Sequence, residues 1–251
     1  MLFLYTFYQK IIDAEPNNYV SYYLWGLKHS SFTSDGTNGA WEGGREQYLK
    51  VVEITTKIIK TNPHDVNALW YRGKCREHLN CFKRAINDFS KIIVINPTHV
   101  EAYKSRGNLK LWAGNSKSKD LLGAIKDYSK VIELTNDNSI YFLRAWAKQE
   151  LHLYQEAIDD YTLGIEAGNN DYYFYRAKAK EIINDFEGSI QDYLKGIEIA
   201  PNFRYYMRLC QIYYNRKDFN QAQIYFDKTI ELSPDTEEKD MYLYFKTDAP
   251  F

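Results

Sequence analysis

The chain has few cysteines, and their spacing carries no metal-binding pattern. It contains 251 residues but only Cys75, Cys81 and Cys210, and five residues separate the closest two. An odd number at this spacing argues against a disulfide framework or a zinc site and favours a reducing compartment. We therefore expect a cytoplasmic protein. A periplasmic or secreted form from which a leader has been removed is the alternative.

The chain also lacks an excess of either charge. Its 32 Lys and Arg nearly cancel its 33 Asp and Glu, so no basic field attracts a phosphate backbone. The apolar segment Leu2–Phe7 has no basic region before it and no cleavage site after it, and it is too short to span a bilayer. We interpret it as part of a helix and expect neither nucleic acid nor membrane as a partner.

Sequence patterns of catalysis and metal binding are missing too. The five histidines form no HExxH or other helical metal-ligand pair, and no Gly-rich loop follows a strand pattern. There is no Gly-x-Ser-x-Gly motif either. We therefore expect no catalytic residues, no metal and no cofactor, and a protein that is not an enzyme.

What the chain does contain is an internal repeat. Residues 70–73, 104–107, 142–145 and 174–177 each end in an arginine followed by glycine or alanine. A second small residue, an aromatic residue and a proline or asparagine follow at regular spacing, as in Ala85, Phe89 and Pro97. Apolar residues recur at helical spacing between these positions, and a proline ends a helix because the residue before it avoids the helical conformation. Each copy is therefore predicted to be a helix, a turn and a second helix.

This pattern resembles the tetratricopeptide repeat, and the resemblance covers nearly the whole chain. It implies an all-α, right-handed superhelical solenoid of antiparallel helix pairs, with about 14 helices. We predict one such solenoid over residues 1–251, beginning with a half repeat at 1–16 and ending with a capping helix at 235–251. The full repeats are predicted at residues 19–63, 66–97, 100–136, 138–169, 170–201 and 203–234.

Two connections between a first and a second helix are longer than the others. One spans residues 30–44 and the other lies around residues 114–118. Insertions in solenoids occur in loops on one edge. A loop without a role is the simpler interpretation, and a flap that contacts a partner is the alternative.

Charged residues vary together among the copies. Where the small residue of the first helix follows an arginine, an aspartate occurs on the second helix; where it follows Trp25 or Leu209, the aspartate is replaced by Ile54 or Tyr225. Since an unpaired arginine at a half-buried position is costly, we predict structural ion pairs. A row of arginines facing a ligand is the alternative. The predicted pairs are Arg72 with Asp88, Arg106 with Asp127, Arg144 with Asp160, and Arg176 with Asp192.

A candidate binding surface lies on the first helices. Residues six and three before the small residue, and one, four and five after it, share one face of each first helix, and resemblance to the family implies that this face lines a concave groove. We call this set the first-helix stripe. Its aromatic and polar residues suit an extended peptide or a helix of a partner, whereas packing of the rings against second helices or an inserted loop is the alternative. The predicted groove residues are Tyr23, Trp70, Lys74, His78, Lys104, Asn108, Trp112, Phe142, Trp146, Phe174, Lys178, Met207, Gln211 and Tyr214.

One ligand site of the family is not expected here. Members that bind chaperones hold a C-terminal carboxylate with lysine, arginine and asparagine side chains from three helices. Lys104 and Asn108 match the first of these helices, but Leu143, Asp171 and Tyr175 stand where the other groups belong. We therefore reject the carboxylate clamp.

The function that we expect is a non-catalytic scaffold that binds a peptide or a helix of a partner protein. The first alternative is a self-associating assembly adaptor that uses the terminal helices and the 30–44 loop. Residues 241–245 are apolar, although a capping helix normally has a polar outer face. We expect this helix to pack unusually deeply; an interface for self-association or for a further domain is the alternative. An RNA-binding helical repeat is a further alternative, but the stripe carries more acidic than basic residues.

Overall fold

The computed structural model describes residues 2–30, 44–112 and 120–233, with the side chains of the first range limited to residues 7–28. These residues form thirteen helices and no strand. None of these helices is long and apolar enough to cross a membrane. The predicted 30–44 insertion, most of the second insertion and the predicted helix at 235–251 lie outside the described residues. In chain order the helices are α1 (Leu2–Ala14), α2 (Tyr19–Ser30), α3 (Arg45–Thr61), α4 (Val66–His78), α5 (Phe82–Ile95), α6 (Val100–Trp112), α7 (Leu121–Thr135), α8 (Ile140–Glu150), α9 (Tyr154–Glu166), α10 (Tyr172–Ile182), α11 (Phe186–Ile199), α12 (Phe203–Asn215) and α13 (Phe219–Leu232).

The chain divides into two compact units, residues 1–136 and 137–251. The first unit contains α1 and the pairs α2–α3, α4–α5 and α6–α7; the second contains the pairs α8–α9, α10–α11 and α12–α13. Within each unit, helices that follow one another in the chain pack together. The all-α prediction and the helix-pair prediction are confirmed.

Short polar motifs fix where several helices begin. Asp65, Asp185 and Asp218 each accept a hydrogen bond from a backbone N–H three residues later, at 2.9 to 3.2 Å. These bonds satisfy N–H groups that have no partner within the helix. The sharp turns between first and second helices use a residue with positive φ at Asn80, His152, Asn184 and Lys217.

The core of four pairs is built on the small residue and the aromatic residue of the repeat. The rings of Phe89, Tyr128, Tyr161 and Tyr193 are fully buried on the second helices. A Cβ atom added to Gly73 would lie 2.7 Å from Cε1 of Phe89. The small residue is therefore required because the ring of the second helix packs directly on the first helix.

Successive pairs pack a large side chain against a small one, and the large side chain can lie on either pair. Ile92 of α5 and Ala102 of α6 share one core cluster. In the second unit the large residue lies on the following pair instead: a Cβ added to Gly164 would lie 2.1 Å from Cδ2 of Tyr172, and one added to Gly196 would lie 2.3 Å from Cε1 of Tyr205. Glycine at these two positions leaves room for a tyrosine ring.

Candidate functional site

In four pairs, the arginine and the aspartate of the repeat contact each other across the two helices. All four aspartate side chains are at most 5% exposed. The shortest N–O distances are 2.8 Å for Arg72 and Asp88, and 2.6 Å for Arg106 and Asp127, for Arg144 and Asp160, and for Arg176 and Asp192.

Each of these aspartates also contacts a second cation, which the sequence analysis did not identify. That cation lies one helical turn after the arginine and approaches Oδ2, the carboxylate oxygen that also accepts a bond from Nε of the arginine. The sequence carries a signal for it, since a basic residue follows each of the four arginines at the fourth position and is absent after Leu209. The N–O distances are 2.5 Å for Arg76, 3.0 Å for Lys110, 2.8 Å for Lys148 and 2.9 Å for Lys180.

The arginines also connect neighbouring pairs. Arg106 Nη1 donates to Ser90 Oγ of the preceding second helix at 3.0 Å, and Arg176 Nη1 donates to Thr162 Oγ1 at 3.0 Å. Arg72 makes the same bond, at 3.3 Å, to Thr56. Each of these three arginines thus bonds to its own pair and to the pair before it. We call the aspartate, its two cations and the hydroxyl of the preceding helix the arginine bracket.

Three of the arginines also contact aromatic rings. The guanidinium groups of Arg106, Arg144 and Arg176 lie 5.4 to 5.6 Å from the ring centroid of a tyrosine three residues earlier, a distance at which the cation attracts the ring face. These guanidinium groups are therefore engaged within the fold.

The last pair replaces the ionic bracket with apolar contacts. Leu209 is fully buried where four of the other pairs have arginine. The rings of Tyr213 and Tyr225 stack, with centroids 5.5 Å apart, where those pairs have the second cation and the aspartate. The residue before Leu209, Arg208, instead forms an ion pair with Glu181 of α10.

In the first unit, two predicted groove residues belong to an aromatic cluster. His78 stacks on Tyr48 with ring centroids 4.7 Å apart, and Tyr23 lies 6.3 Å from both rings. Burial, together with the positive charge of Lys74, lowers the pKa of His78, against a smaller opposite effect of Glu77. The neutral imidazole is therefore the favoured form in the folded chain.

The ring of Trp70 faces the core as well as the stripe. It lies 5.5 Å from both Phe89 and His99 and is partly buried in the cluster around α4 and α5. Lys74 lies 5.9 Å from the centroid of Trp70 and forms a 2.6 Å ion pair with Glu77. The charge of Lys74 is thus balanced locally.

Trp112, at the end of α6, is 50% exposed. One turn earlier, Asn108 accepts a hydrogen bond of 2.9 Å from the hydroxyl of the buried Tyr128. Lys104, a further turn back, is half-buried. This part of the stripe combines an accessible indole ring with an oriented amide.

In the second unit, the phenylalanines of the stripe are partly buried. Phe142 lies 4.7 to 6.2 Å from Tyr161, Tyr172 and Tyr175, and Phe174 lies 5.5 Å from Tyr205. These rings pack against second helices and the next pair, which is the alternative that the sequence left open.

Other stripe residues of the second unit reach solvent. Trp146 is half-buried beside Phe142, at 5.7 Å between centroids. Lys178 and Gln211 are exposed, and Met207 and Tyr214 are half-buried. The accessible part of the stripe on α8, α10 and α12 therefore contains an indole, a cation, an amide and a phenol.

In the part of the chain that the structure describes, no group of three or more His, Cys, Asp or Glu side chains is arranged to hold a metal ion.

Comparison with known proteins agrees with this geometry. The tetratricopeptide-repeat family model matches residues 203–236. A TPR repeat-containing protein of Methanocaldococcus jannaschii is 26% identical over 208 residues, which cover 77% of this chain and 36% of that protein. The chain thus spans about a third of the length of this relative.

Solved structures share the fold. The C-terminal part of a TPR repeat-containing protein from Cytophaga hutchinsonii matches 95% of this chain and 92% of its own with a TM-score of 0.69 at 15% identity. YrrB, described as a TPR protein with an unusual peptide-binding site, matches 78% of this chain and 99% of its own with a TM-score of 0.58 at 16% identity. In its helix pairs and in the family-model match at residues 203–236, the chain is similar to tetratricopeptide-repeat proteins, whose fold it shares.

Proposed function

We propose that this chain is a non-catalytic scaffold that binds a peptide or a helix of a partner protein on the first-helix stripe. The tetratricopeptide-repeat fold suggests a protein-interaction scaffold, but a fold alone does not identify a ligand. The observation that carries the proposal is Trp112, whose large indole ring is 50% exposed on the stripe. Tryptophan is enriched among the residues that dominate binding energy at protein interfaces.

The surroundings of Trp112 support this role. Asn108, one turn away on the same helix, is held by Tyr128, and Lys104 follows on the same face. An accessible ring supplies contact area with little loss of side-chain entropy, while fixed polar groups set the register of a bound segment.

The test is a selection of linear peptides from a random display library, followed by affinity measurement. We expect Trp112→Ala to weaken binding of a selected peptide at least about tenfold, as a hot-spot residue does. Ile224→Ala is the matched control, because Ile224 is 54% exposed on a second helix, outside the stripe. Circular dichroism should show unchanged helicity in both variants.

Two results would contradict the proposal. The first is a failure of the wild-type chain to select any peptide. The second is a selected peptide that binds Trp112→Ala and Trp146→Ala as tightly as wild type. Trp70 is left intact, because its ring packs on Phe89 and its removal would disturb the core.

A further inference from the structure

Three pairs share a hydrogen bond that the function above does not use. The fully buried tyrosine of the second helix donates its hydroxyl to a polar side chain on the first helix. Tyr161 bonds to Gln149 Oε1 at 2.6 Å, and Tyr193 bonds to Glu181 Oε1. The third example is the bond from Tyr128 to Asn108 at 2.9 Å.

The comparison of two of these bonds fixes their direction. Gln149 and Glu181 occupy the same position, four residues after the small residues Ala145 and Ala177. A carboxylate only accepts hydrogen bonds, so the hydroxyl beside Glu181 must donate. The equivalent geometry at Gln149 makes Oε1 the acceptor and leaves the amide nitrogen Nε2 as a donor of two N–H bonds.

The donor at Gln149 is available. Among the residues that the structure describes, none accepts a hydrogen bond from its Nε2, and the side chain is half-buried rather than enclosed. Glu181 differs, because its carboxylate is engaged by Tyr193 and by Arg208.

The hydroxyl that orients Gln149 is a stable donor. Burial, with smaller contributions from Tyr175 and Asp160, raises the pKa of Tyr161. The phenol therefore stays protonated at neutral pH, and its bond keeps the amide in one orientation.

The neighbours of Gln149 indicate which kind of acceptor would bond to its Nε2. Trp146 lies one turn earlier on the same helix and is half-buried, so part of this residue is accessible. Glu150, the next residue, is an exposed acid and disfavours a negatively charged acceptor. The main-chain carbonyl of an extended peptide is a neutral acceptor of this kind, and the side chains of such a peptide can contact the ring of Trp146.

We propose that Gln149 donates a hydrogen bond from Nε2 to a main-chain carbonyl of an extended segment bound on the stripe, and that Tyr161 is the positioning residue for this amide. This inference rests on the proposed function and names the recognition group of the same surface. The affinity for the peptide then depends on the orientation of the Gln149 amide as well as on its presence.

The first test uses a peptide selected from the random display library and compares three variants. Gln149→Glu keeps an oxygen for Tyr161 but removes both donors, so we expect about tenfold weaker binding, the effect of one lost hydrogen bond. Tyr161→Phe keeps the amide but frees it, and a loss of about threefold is expected. Gln191→Glu, the same change at an exposed position of a second helix, should bind as wild type does.

The second test identifies the acceptor. Replacing single peptide bonds of the selected peptide by esters weakens the carbonyl as an acceptor. One such ester should weaken binding to wild type severalfold and have no effect on binding to Gln149→Glu.

Outcomes against the inference differ from those against the proposed function. Equal binding by wild type and Gln149→Glu, or a loss that follows one side chain of the peptide and no ester, overturns the role of Gln149 while peptide binding itself stands. If wild type selects no peptide, both proposals fail. Circular dichroism of each variant separates loss of the contact from loss of the fold.

Discussion

At the scale of single residues, Asp192 combines a buried charge with two cationic partners. Its carboxylate lies 2.6 Å from Arg176 and 2.9 Å from Lys180, and its side chain is 5% exposed. We predict that Asp192→Ala lowers the free energy of unfolding by about 3 kcal/mol, because two cations lose their counter-charge in a poorly solvated place. Urea denaturation followed by circular dichroism measures this.

The control for Asp192 is an exposed ion pair on the same helix. Glu198 lies 2.7 Å from Lys195, and both side chains are more than half exposed. Glu198→Ala should leave the urea midpoint unchanged, since exposed pairs contribute little. Equal effects of Glu198→Ala and Asp192→Ala would refute the bracket as a stabilising element.

Covariation among the copies predicted the arginine and aspartate positions, but it did not predict the whole bracket. The second cation, such as Lys180, is visible at a fixed spacing from the arginine. The hydroxyl of Thr162 is harder to infer, because it belongs to the preceding pair and its role depends on how successive pairs pack. The sequence does carry one signal for this bond. Leu194 replaces the hydroxyl residue on the second helix that precedes Leu209, which replaces the arginine.

At the scale of helices, the contact between α9 and the next pair depends on Gly164. Replacing glycine by alanine inside a helix normally stabilises by about 1 kcal/mol. Here the new Cβ would lie 2.1 Å from the ring of Tyr172, so we predict that Gly164→Ala destabilises the chain by about 1 to 3 kcal/mol. Thermal unfolding measures the shift.

A size exchange should reverse this loss. The chain uses the opposite arrangement at Ile92 and Ala102, so Gly164→Ile combined with Tyr172→Ala should be more stable than Gly164→Ile alone. If the double variant is no better than the single one, steric conflict with Tyr172 is not the cause.

The helices themselves follow from the sequence, whereas their turns follow only in part. Prolines such as Pro63 and Pro97 and the apolar spacing predict the pairs, and Asn80 and Asn184 are residues that tolerate positive φ. His152, at φ of 60°, is also of a type enriched at positive φ, whereas Lys217 adopts this conformation, at 63°, without such a preference. The residue type at position 217 therefore gives no local signal for its turn.

At the scale of the whole molecule, the sequence predicted the fold family and a surface of mixed aromatic and polar character, but not which rings are accessible. Trp112 is half exposed, whereas Phe142 and Phe174 pack partly into core clusters. The difference depends on the neighbouring pair: Tyr172 and Tyr205 fill the space beside the two phenylalanines. A helical pattern identifies a face but not what covers it.

The arginine bracket also has a consequence for lengthening the chain by duplication of a helix pair. A second copy of residues 170–202, inserted after Asn202, would place its Tyr172 against Gly196 of the first copy, in the register that Tyr205 now holds. The arginine of the second copy would lack one acceptor. Arg176 donates to the hydroxyl of Thr162 on the preceding second helix, and Leu194 occupies the equivalent position before the second copy.

We therefore expect that the duplicated chain gains more stability when the first copy carries Leu194→Thr than when it does not. Urea midpoints of the two duplicated chains test this, and equal midpoints would contradict it. A single substitution would then suffice to add one pair. The α12–α13 pair can follow a second helix that lacks the hydroxyl, because it has Leu209 in place of arginine.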